Sequence, residues 1–170
     1  MANKKDLNFE TKVIHAGQKS DPTTGAVMTP IVLASTFEQS SPGVHKGYDY
    51  SRSINPTREA FENCIASLEN GVKGYGFSSG VAAISACIEL LQPGDHVIAM
   101  DDLYGGSVRL FNEIKTISQG IEVSYVDMTN VDNIKANLKE NTKMIFVETP
   151  TNPLLKIADL SKIARLALSL

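Results

Sequence analysis

The alternation of strand-like and helix-like segments after residue 55 is the feature that most constrains the fold of this chain. Short apolar runs, each long enough for one buried strand, stand between segments with helical periodicity. Strands joined in this way by helices form parallel sheets with right-handed crossovers. We therefore predict an α/β fold, with a mainly parallel sheet and flanking helices. The strand-like segments are "VKGYGFSS" (72–79), "DHVIAMDD" (95–102), "IEVSYVDM" (121–128) and "TKMIFVETP" (142–150).

The first helix of this region has clear signals at both ends. Asn55 can cap it with a side-chain oxygen, and Pro56 suits the first helical position because its missing N–H would have no partner there. Gly71 marks the end. Further helices are predicted in "GVAAISACIELLQPG" (80–94), "GGSVRLFNEIKTISQG" (105–120), "NVDNIKANLKE" (130–140) and "IADLSKIARLALSL" (157–170).

Residues 1–54 have no sustained periodicity. The turn signals "DPTTG" (21–25) and "SPG" (41–43) flank "TPIVLASTF" (29–37), which predicts an extended arm with a short strand. A structureless stretch of this length is uncommon inside a compact domain, so we expect the arm to wrap something such as a second subunit. The expected organisation is an N-terminal arm and interface segment over 1–54 and an incomplete α/β domain over 55–170.

Charge and hydropathy argue against several classes of protein. The formal net charge of −3 disfavours nucleic acid as the main partner, because phosphate binding usually requires a basic patch. No apolar run is long enough to span a bilayer, and the N-terminus does not resemble a secretory signal. We expect no membrane association and a cytoplasmic location.

Cysteine and histidine provide no metal-binding pattern. Cys64 and Cys87 both fall in helical patterns beside small or apolar residues, which predicts two buried thiols. Neither has a second cysteine or histidine at ligand spacing, and His15, His45 and His96 are scattered. We expect no metal site and assign the histidines to the surface or the core.

Candidate ligand-binding loops follow the predicted strands, since ligands of parallel sheets bind at the carboxyl ends of the strands. Ser78, Ser79 and Gly80 stand at the start of a helix, where hydroxyls, free N–H groups and close backbone access would form an anion site. The alternative is that Ser78 or Ser79 only caps the helix. The four loops are "GFSSG" (76–80), "DDLYGGS" (101–107), "VDMTN" (126–130) and "ETPTNP" (148–153).

A dinucleotide site is a competing interpretation of the glycines. Gly74, Gly76 and Gly80 follow a predicted strand, and Asp101 or Asp102 ends the next one, at about the distance that a Rossmann acid needs. The glycine spacing is G-x-G-x-x-x-G, however, which differs from the Rossmann pattern. A strand end and a helix cap are the simpler roles for Asp101 and Asp102.

Three residues in the other loops could contact an aromatic, polar ligand. Tyr104 lies beside two glycines, where its ring can stack on a ligand while its hydroxyl remains free for other contacts. Glu148 and Asn152 could point into one crevice, and Asn152 would offer an uncharged hydrogen bond there.

The linker before Asn55 is not explained by the helix that follows it. It contains Tyr48, Tyr50 and Arg52, although the whole chain has only five tyrosines and no tryptophan.

Four segments together carry a family resemblance. In their order and separations they resemble the motifs of the Cys/Met-metabolism family of pyridoxal-phosphate enzymes, the trans-sulfuration enzymes. The resemblance extends to "VIHAG" (13–17) and so covers essentially the whole chain. It implies that the α/β region is part of the large cofactor-binding domain of a fold-type I enzyme, similar to aspartate aminotransferase. The segments are "YSRSINPTR" (50–58), "FSSGVAA" (77–83), "MDDLYGGS" (100–107) and "ETPTNP" (148–153).

The resemblance also implies how the phosphate of pyridoxal 5'-phosphate is held. Tyr50 and Arg52 match the pair that reaches across a dimer interface to the cofactor phosphate of the neighbouring subunit, a role for which the planar guanidinium is suited. Ser79, Gly80 and Val81 match the loop and helix start that hold the phosphate from within the subunit.

The remaining matched residues concern the cofactor ring. Tyr104 matches the tyrosine that stacks over the pyridine ring and that family proposals use in proton transfer. Asn152 matches the residue near the phenolic oxygen of the ring, and Glu148 lies in the same motif.

Some positions depart from the family pattern. Val81 stands where methionine or leucine is commoner. Ile54 replaces a usual glycine, which would strain the loop if the position required a positive φ. The residues after Leu103 lack the cysteine characteristic of methionine γ-lyases, which favours the cystathionine enzymes: γ-synthase, γ-lyase and β-lyase.

The largest departure from the family pattern concerns the catalytic lysine. It forms a Schiff base with the cofactor from a Ser-x-Thr-Lys motif, and an aspartate pairs with the pyridine nitrogen. Neither motif occurs in the 170 residues, so we expect this sequence to be the N-terminal portion of such an enzyme and not to turn over substrate unaided.

The activity implied is γ-elimination or γ-replacement on a sulfur amino-acid substrate, cystathionine or an activated homoserine, by a homo-oligomer, a homotetramer by resemblance. One alternative is a truncated, non-catalytic fragment of the family that associates with other chains. A dinucleotide-binding Rossmann domain is a more distant alternative.

Overall fold

The computed structural model describes residues 7–170, which form two compact units. The first unit ends at Gly76, and the second runs Phe77–Leu170. The first contains α1 (Phe9–His15), β1 (Gln39–Ser41), β2 (Val44–His45) and α2 (Pro56–Leu68). The second contains, in chain order, α3 (Gly80–Ile88), β3 (His96–Met100), α4 (Gly105–Arg109), a π-helical segment (Leu110–Lys115), α5 (Thr116–Ser118), β4 (Glu122–Val126), α6 (Val131–Ala136), β5 (Thr142–Phe146) and α7 (Leu160–Leu168).

In the first unit, α1 packs against α2, and the chain leaves α1 through Gly17. This glycine has a φ of +72°, and a Cβ atom there would lie 2.5 Å from the Ala60 carbonyl oxygen. Only glycine therefore permits the close approach to α2. The predicted N-terminus of α2 is confirmed, because the Asn55 side chain accepts hydrogen bonds from the N–H groups of Thr57 and Arg58, and Pro56 begins the helix.

The arm over residues 29–37 is extended, but the short strand predicted there is wrong. A single bridge between Thr36 and Tyr50 takes its place. Earlier in the arm, the backbone of Val32 bonds to the side chains of Thr57 and Asn55 and not to a strand. Apolar side chains in this segment and just before it are exposed instead: Val27, Met28, Ile31 and Leu33 have between 71% and 90% of their surface accessible.

The second unit is built on a three-stranded parallel sheet in the order β4-β3-β5. Every residue of β3 is buried, as expected of a central strand covered on both faces. His96 joins the three strands, since its ring nitrogens lie 2.8 Å from Thr142 Oγ1 on β5 and 2.9 Å from Ser124 Oγ on β4. The predicted α/β class and the parallel sheet are confirmed.

The hydrophobic core of the second unit lies between this sheet and its helices. Phe111 of the π-helical segment packs edge-on against Phe146 of β5, with ring centroids 5.3 Å apart. The largest fully buried apolar side chains are Phe111, Ile88, Ile98, Met100, Met128, Ile134 and Val97.

The single helix predicted over 105–120 is interrupted by the π-helical segment. This wider turn buries Leu110, Phe111 and Lys115 together, and the Lys115 ammonium pairs with Glu89 at the end of α3. Periodicity alone does not signal such a turn, because a π bulge shifts the apolar face by one residue.

Two local predictions are wrong. Residues 72–79 do not form a strand, because within the described chain they have no neighbour to pair with; the Gly76 N–H instead donates to the Glu62 side chain at 2.8 Å. Cys87 is exposed and Cys64 is half-buried, so neither thiol is fully buried.

None of the helices formed by residues 7–170 is both long and apolar enough to cross a membrane.

Candidate functional site

The loops at the carboxyl ends of the three parallel strands meet at one edge of the sheet. Lys156, in the loop after β5, places its ammonium 2.7 Å from Asp101 after β3 and 3.2 Å from Asp127 after β4. The hydrogen bond to Asp101 raises the pKa of Lys156 above its ordinary value. One cation therefore ties all three loops together.

The sequence predicts Asp102 as a helix cap, and this prediction is wrong. Its carboxylate accepts the Thr151 hydroxyl and, at 2.9 Å, the backbone N–H of Leu154. The Thr151 hydroxyl oxygen in turn accepts from the N–H of Lys156 at 2.8 Å. The end of β3 thus fixes the turn that presents Asn152, whose side chain is exposed.

Tyr104 lies immediately before α4, with 49% of its surface accessible. Its backbone N–H donates to Glu148 Oε2 at 3.2 Å, so Glu148 positions the Tyr104 backbone. The Tyr104 ring lies over Gly106, where a Cβ atom would stand 2.4 Å from the ring. The ring is therefore exposed for stacking and depends on a glycine for its orientation.

The N-terminus of α3 carries the predicted anion-binding loop. Ser79 caps the helix, since its hydroxyl oxygen accepts from the Ala82 N–H at 3.2 Å, and its hydroxyl proton stays free to donate. Among the described residues, nothing accepts from the N–H groups of Gly80 and Val81. Apart from the adjoining residues and the backbone of α3 itself, no atom lies within 4 Å of where a Gly80 Cβ would stand. Capping and anion binding are thus compatible here.

The first unit carries Tyr50 and Arg52 on an exposed turn. The Arg52 guanidinium lies 4.9 Å from the centre of the Tyr50 ring, a cation–π arrangement. Ile54 does not have a positive φ, so the replacement of glycine there introduces no strain of that kind. Both side chains of the predicted pair are exposed.

Tyr48 has a different role from Tyr50. Its hydroxyl donates to Glu59 Oε2 at 2.6 Å, and its ring packs on Phe37 with centroids 5.5 Å apart. The hydrogen bond to Glu59 raises the pKa of Tyr48 to about 12. Tyr48 therefore anchors the linker to α2.

Arg58 and Glu62 support the turn at Arg52, a role that no sequence motif predicts. Arg58 donates to the carbonyls of Ser51 and Ser53, on either side of Arg52, and its Nε lies 3.2 Å from Glu62 Oε1. The available signal was their spacing of four residues, which places them on one face of α2.

The dinucleotide interpretation is not supported at any of its positions. The segment before the glycines is not a strand, and both aspartates bind other parts of the chain: Asp101 pairs with Lys156, and Asp102 holds the turn at Thr151.

A family model described as Cys/Met metabolism PLP-dependent enzyme matches residues 10–169. Cystathionine beta-lyase of Coxiella burnetii is 57% identical over 97% of this chain and 43% of its own length. Cystathionine gamma-lyase of Dictyostelium discoideum is 47% identical over 96% of this chain and 42% of its own. A crystal structure of cystathionine gamma-lyase from Lactobacillus plantarum complexed with L-serine superposes with a TM-score of 0.90, at 45% identity over 96% of this chain and 42% of that one.

The chain thus spans half or less of the length of these curated relatives. The match covers nearly all of its own residues and both units, and the identities are far above what fold likeness alone produces. The chain belongs to the family of Cys/Met metabolism PLP-dependent enzymes.

Proposed function

We propose that this chain forms the N-terminal part of a pyridoxal-phosphate-dependent trans-sulfuration enzyme that breaks or forms a C–S bond of cystathionine. The observation that carries the proposal is the N-terminus of α3, where the Gly80 and Val81 N–H groups and the Ser79 hydroxyl proton are free and the space over Gly80 is open. A helix start of this kind favours a phosphate group.

The residues present fit the cofactor at both of its ends. Ser79, Gly80 and Val81 would hold the phosphate, and the exposed Tyr104 ring would stack on the pyridine ring. Asn152 would donate its amide N–H to the phenolic oxygen. When bound, pyridoxal phosphate supplies an electron sink that stabilises negative charge at the substrate Cα.

Tyr104 has the further role of moving a proton. Its hydroxyl would exchange a proton with the substrate while Glu148 holds its backbone at the start of α4 and Gly106 leaves room for the ring. Asp102 contributes indirectly, by fixing the turn from which Asn152 reaches the ring.

A second copy of the chain is the proposed partner of the arm. The exposed side chains of Val27, Met28, Ile31 and Leu33 support a buried position in an oligomer, because large exposed apolar surface marks interaction sites. Tyr50 and Arg52 would then bind the cofactor phosphate of the neighbouring subunit. Residues 1–54 would serve as the interface segment and 55–170 as part of the cofactor-binding domain, in a cytoplasmic homo-oligomer, a tetramer by family resemblance.

The proposed enzyme has two candidate reactions. The first is γ-elimination or γ-replacement, on cystathionine or an activated homoserine, which is the activity that the family resemblance implies. β-Elimination is the second candidate, because relatives named cystathionine beta-lyase match at up to 57% identity, against 47% for those named cystathionine gamma-lyase.

The test is product analysis with cystathionine, using the protein as isolated from its source, and it separates the two outcomes. γ-Elimination with water yields cysteine, 2-oxobutanoate and ammonia, whereas β-elimination yields homocysteine, pyruvate and ammonia. We expect pyridoxal phosphate to be required and a Tyr104→Phe variant to bind it with unchanged affinity but react more slowly. γ-Replacement is tested separately, by the formation of cystathionine from cysteine and an activated homoserine. Activity without the cofactor, or with neither oxo acid nor cystathionine as a product, would contradict the proposal.

A separate measurement addresses residues 1–170 on their own. We expect no turnover from a preparation of these residues alone, since the Ser-x-Thr-Lys motif is absent from them. Measurable turnover by such a preparation would show that a different group performs the role of the lysine.

A further inference from the structure

Arg58 holds the backbone on both sides of Arg52. Its Nη1 donates to the Ser51 carbonyl at 3.0 Å, and its Nη2 donates to the Ser53 carbonyl at 2.7 Å. In the described part of the chain, no other donor reaches either carbonyl. The two residues adjacent to Arg52 are thus fixed by one planar group.

Glu62 orients the guanidinium of Arg58 through the remaining nitrogen, Nε. Oε1 of Glu62 accepts from Arg58 Nε at 3.2 Å and from the Gly76 N–H at 2.8 Å. Glu62 is only 8% exposed, and a carboxylate is rarely so buried unless it is paired. The guanidinium therefore has a fixed acceptor on each of its three nitrogens.

The rest of the turn is closed without Arg58. The N–H groups of Ser53 and Ile54 both donate to the Tyr50 carbonyl at 3.0 Å, and the Ser51 N–H donates to Ser35 at 2.9 Å. These bonds set the fold of the turn and, through the Ile54 N–H, hold the peptide plane that contains the Ser53 carbonyl, but no backbone hydrogen bond holds the Ser51 carbonyl. Arg58 supplies the missing restraint.

We propose that Arg58 is a positioning residue: by holding the Ser51 and Ser53 carbonyls, it sets the direction in which Arg52 leaves the turn and thereby the phosphate affinity of the site that Arg52 serves. The inference rests on the proposed function, in which Arg52 binds the cofactor phosphate. Lysine cannot replace Arg58, because a single ammonium does not present a planar fork to three acceptors.

The test compares pyridoxal phosphate with pyridoxal, which lacks the phosphate, by equilibrium dialysis of the protein as isolated from its source. We expect Arg58→Lys to weaken binding of pyridoxal phosphate about tenfold or more, because misdirected hydrogen bonds to phosphate lose most of their strength. Binding of pyridoxal should not change. Arg165→Lys, at an exposed position on α7, is the matched control and should alter neither affinity.

A double-mutant cycle separates positioning from general damage. In an Arg52→Ala background, Arg58→Lys should cause no further loss, because two residues that act through one contact are not additive. An equal loss in both backgrounds, or an equal loss for both ligands, would overturn the inference.

The cycle also distinguishes failure of this inference from failure of the proposed function. If Arg52→Ala leaves the preference for pyridoxal phosphate intact, the phosphate role of Arg52 is wrong. If Arg52→Ala removes the preference and Arg58→Lys does not, only the positioning role is wrong.

Glu62→Gln provides a second variant should Arg58→Lys fail to fold. Glutamine keeps an oxygen that accepts from Arg58 and Gly76 but removes the charge, so the preference for pyridoxal phosphate should fall in the same direction by a smaller factor. An unchanged preference in Glu62→Gln would overturn the proposal.

Discussion

The carboxylate of Asp102 accepts a hydrogen bond at 2.9 Å from the backbone N–H of Leu154, 52 residues further along the chain. It also accepts the Thr151 hydroxyl, so it contacts the turn on both sides of Asn152. The position of Asn152 is therefore set by the end of β3, although the turn itself follows β5.

Asp102→Ala should release this turn. We expect the free energy of unfolding to fall by about 1–3 kcal/mol, because the N–H of Leu154 and the Thr151 hydroxyl lose a buried acceptor. Urea denaturation measures the loss, and hydrogen exchange at the Leu154 amide should accelerate. Asp132→Ala, which removes an exposed ion pair with Lys135, is the control and should change stability by less than about 1 kcal/mol. Equal losses in the two variants would contradict the assignment.

Gly106→Ala should displace the Tyr104 ring. A Cβ atom at residue 106 would stand 2.4 Å from that ring, whereas one at Gly105 would meet only Arg109 Nη1, at 3.7 Å. Since the ring is exposed and can rotate away, we expect stability to change by less than about 1 kcal/mol in both alanine variants. Affinity for pyridoxal should fall in Gly106→Ala and stay unchanged in Gly105→Ala. The same affinity in both variants would show that the ring orientation has no part in binding.

Tyr48→Phe should destabilise the chain in a pH-dependent manner. The hydrogen bond to Glu59 raises the Tyr48 pKa from 10.0 to about 12, so the neutral phenol is the form that the fold favours. Its stabilising contribution is fully present below pH 10 and is lost as the pH rises toward about 12. Urea denaturation should therefore show the wild type more stable than the variant at neutral pH, with the difference closing at high pH. A difference that persists above that range would exclude the phenol as its source.

His96→Gln should flatten the acid side of the stability profile. Burial, and then the nearby Lys139, lowers the pKa of His96, while Glu122 opposes this shift. The neutral ring is thus favoured in the fold, and its contribution is present above the ordinary pKa of about 6.5 and is lost as the pH falls below it. Denaturation at about pH 7.5 and about pH 5 should show the wild-type advantage shrinking in acid. An advantage that grows in acid would contradict the neutral assignment.

The elements that the sequence predicted correctly depend on residues close together in the chain. Asn55 and Ser79 cap helices through N–H groups two or three positions away, and the apolar runs of β3, β4 and β5 have the length and composition of strands. Interactions of this range are visible in a sequence because both partners stand in the same short segment.

The roles that only the tertiary structure decided depend on partners far apart in the chain. Glu148 binds the Tyr104 backbone across 44 residues, and Asp102 reaches Leu154 across 52, so neither assignment follows from a local pattern. The segment 72–79 has the composition of a strand but no neighbour to pair with in the described chain. Sequence alone determined the motifs, the family resemblance and the alternation of elements. The packing of distant loops at one edge of the sheet decided which side chains stay exposed and which hold other residues in place, because hydrogen-bond geometry exists only once both partners are in place.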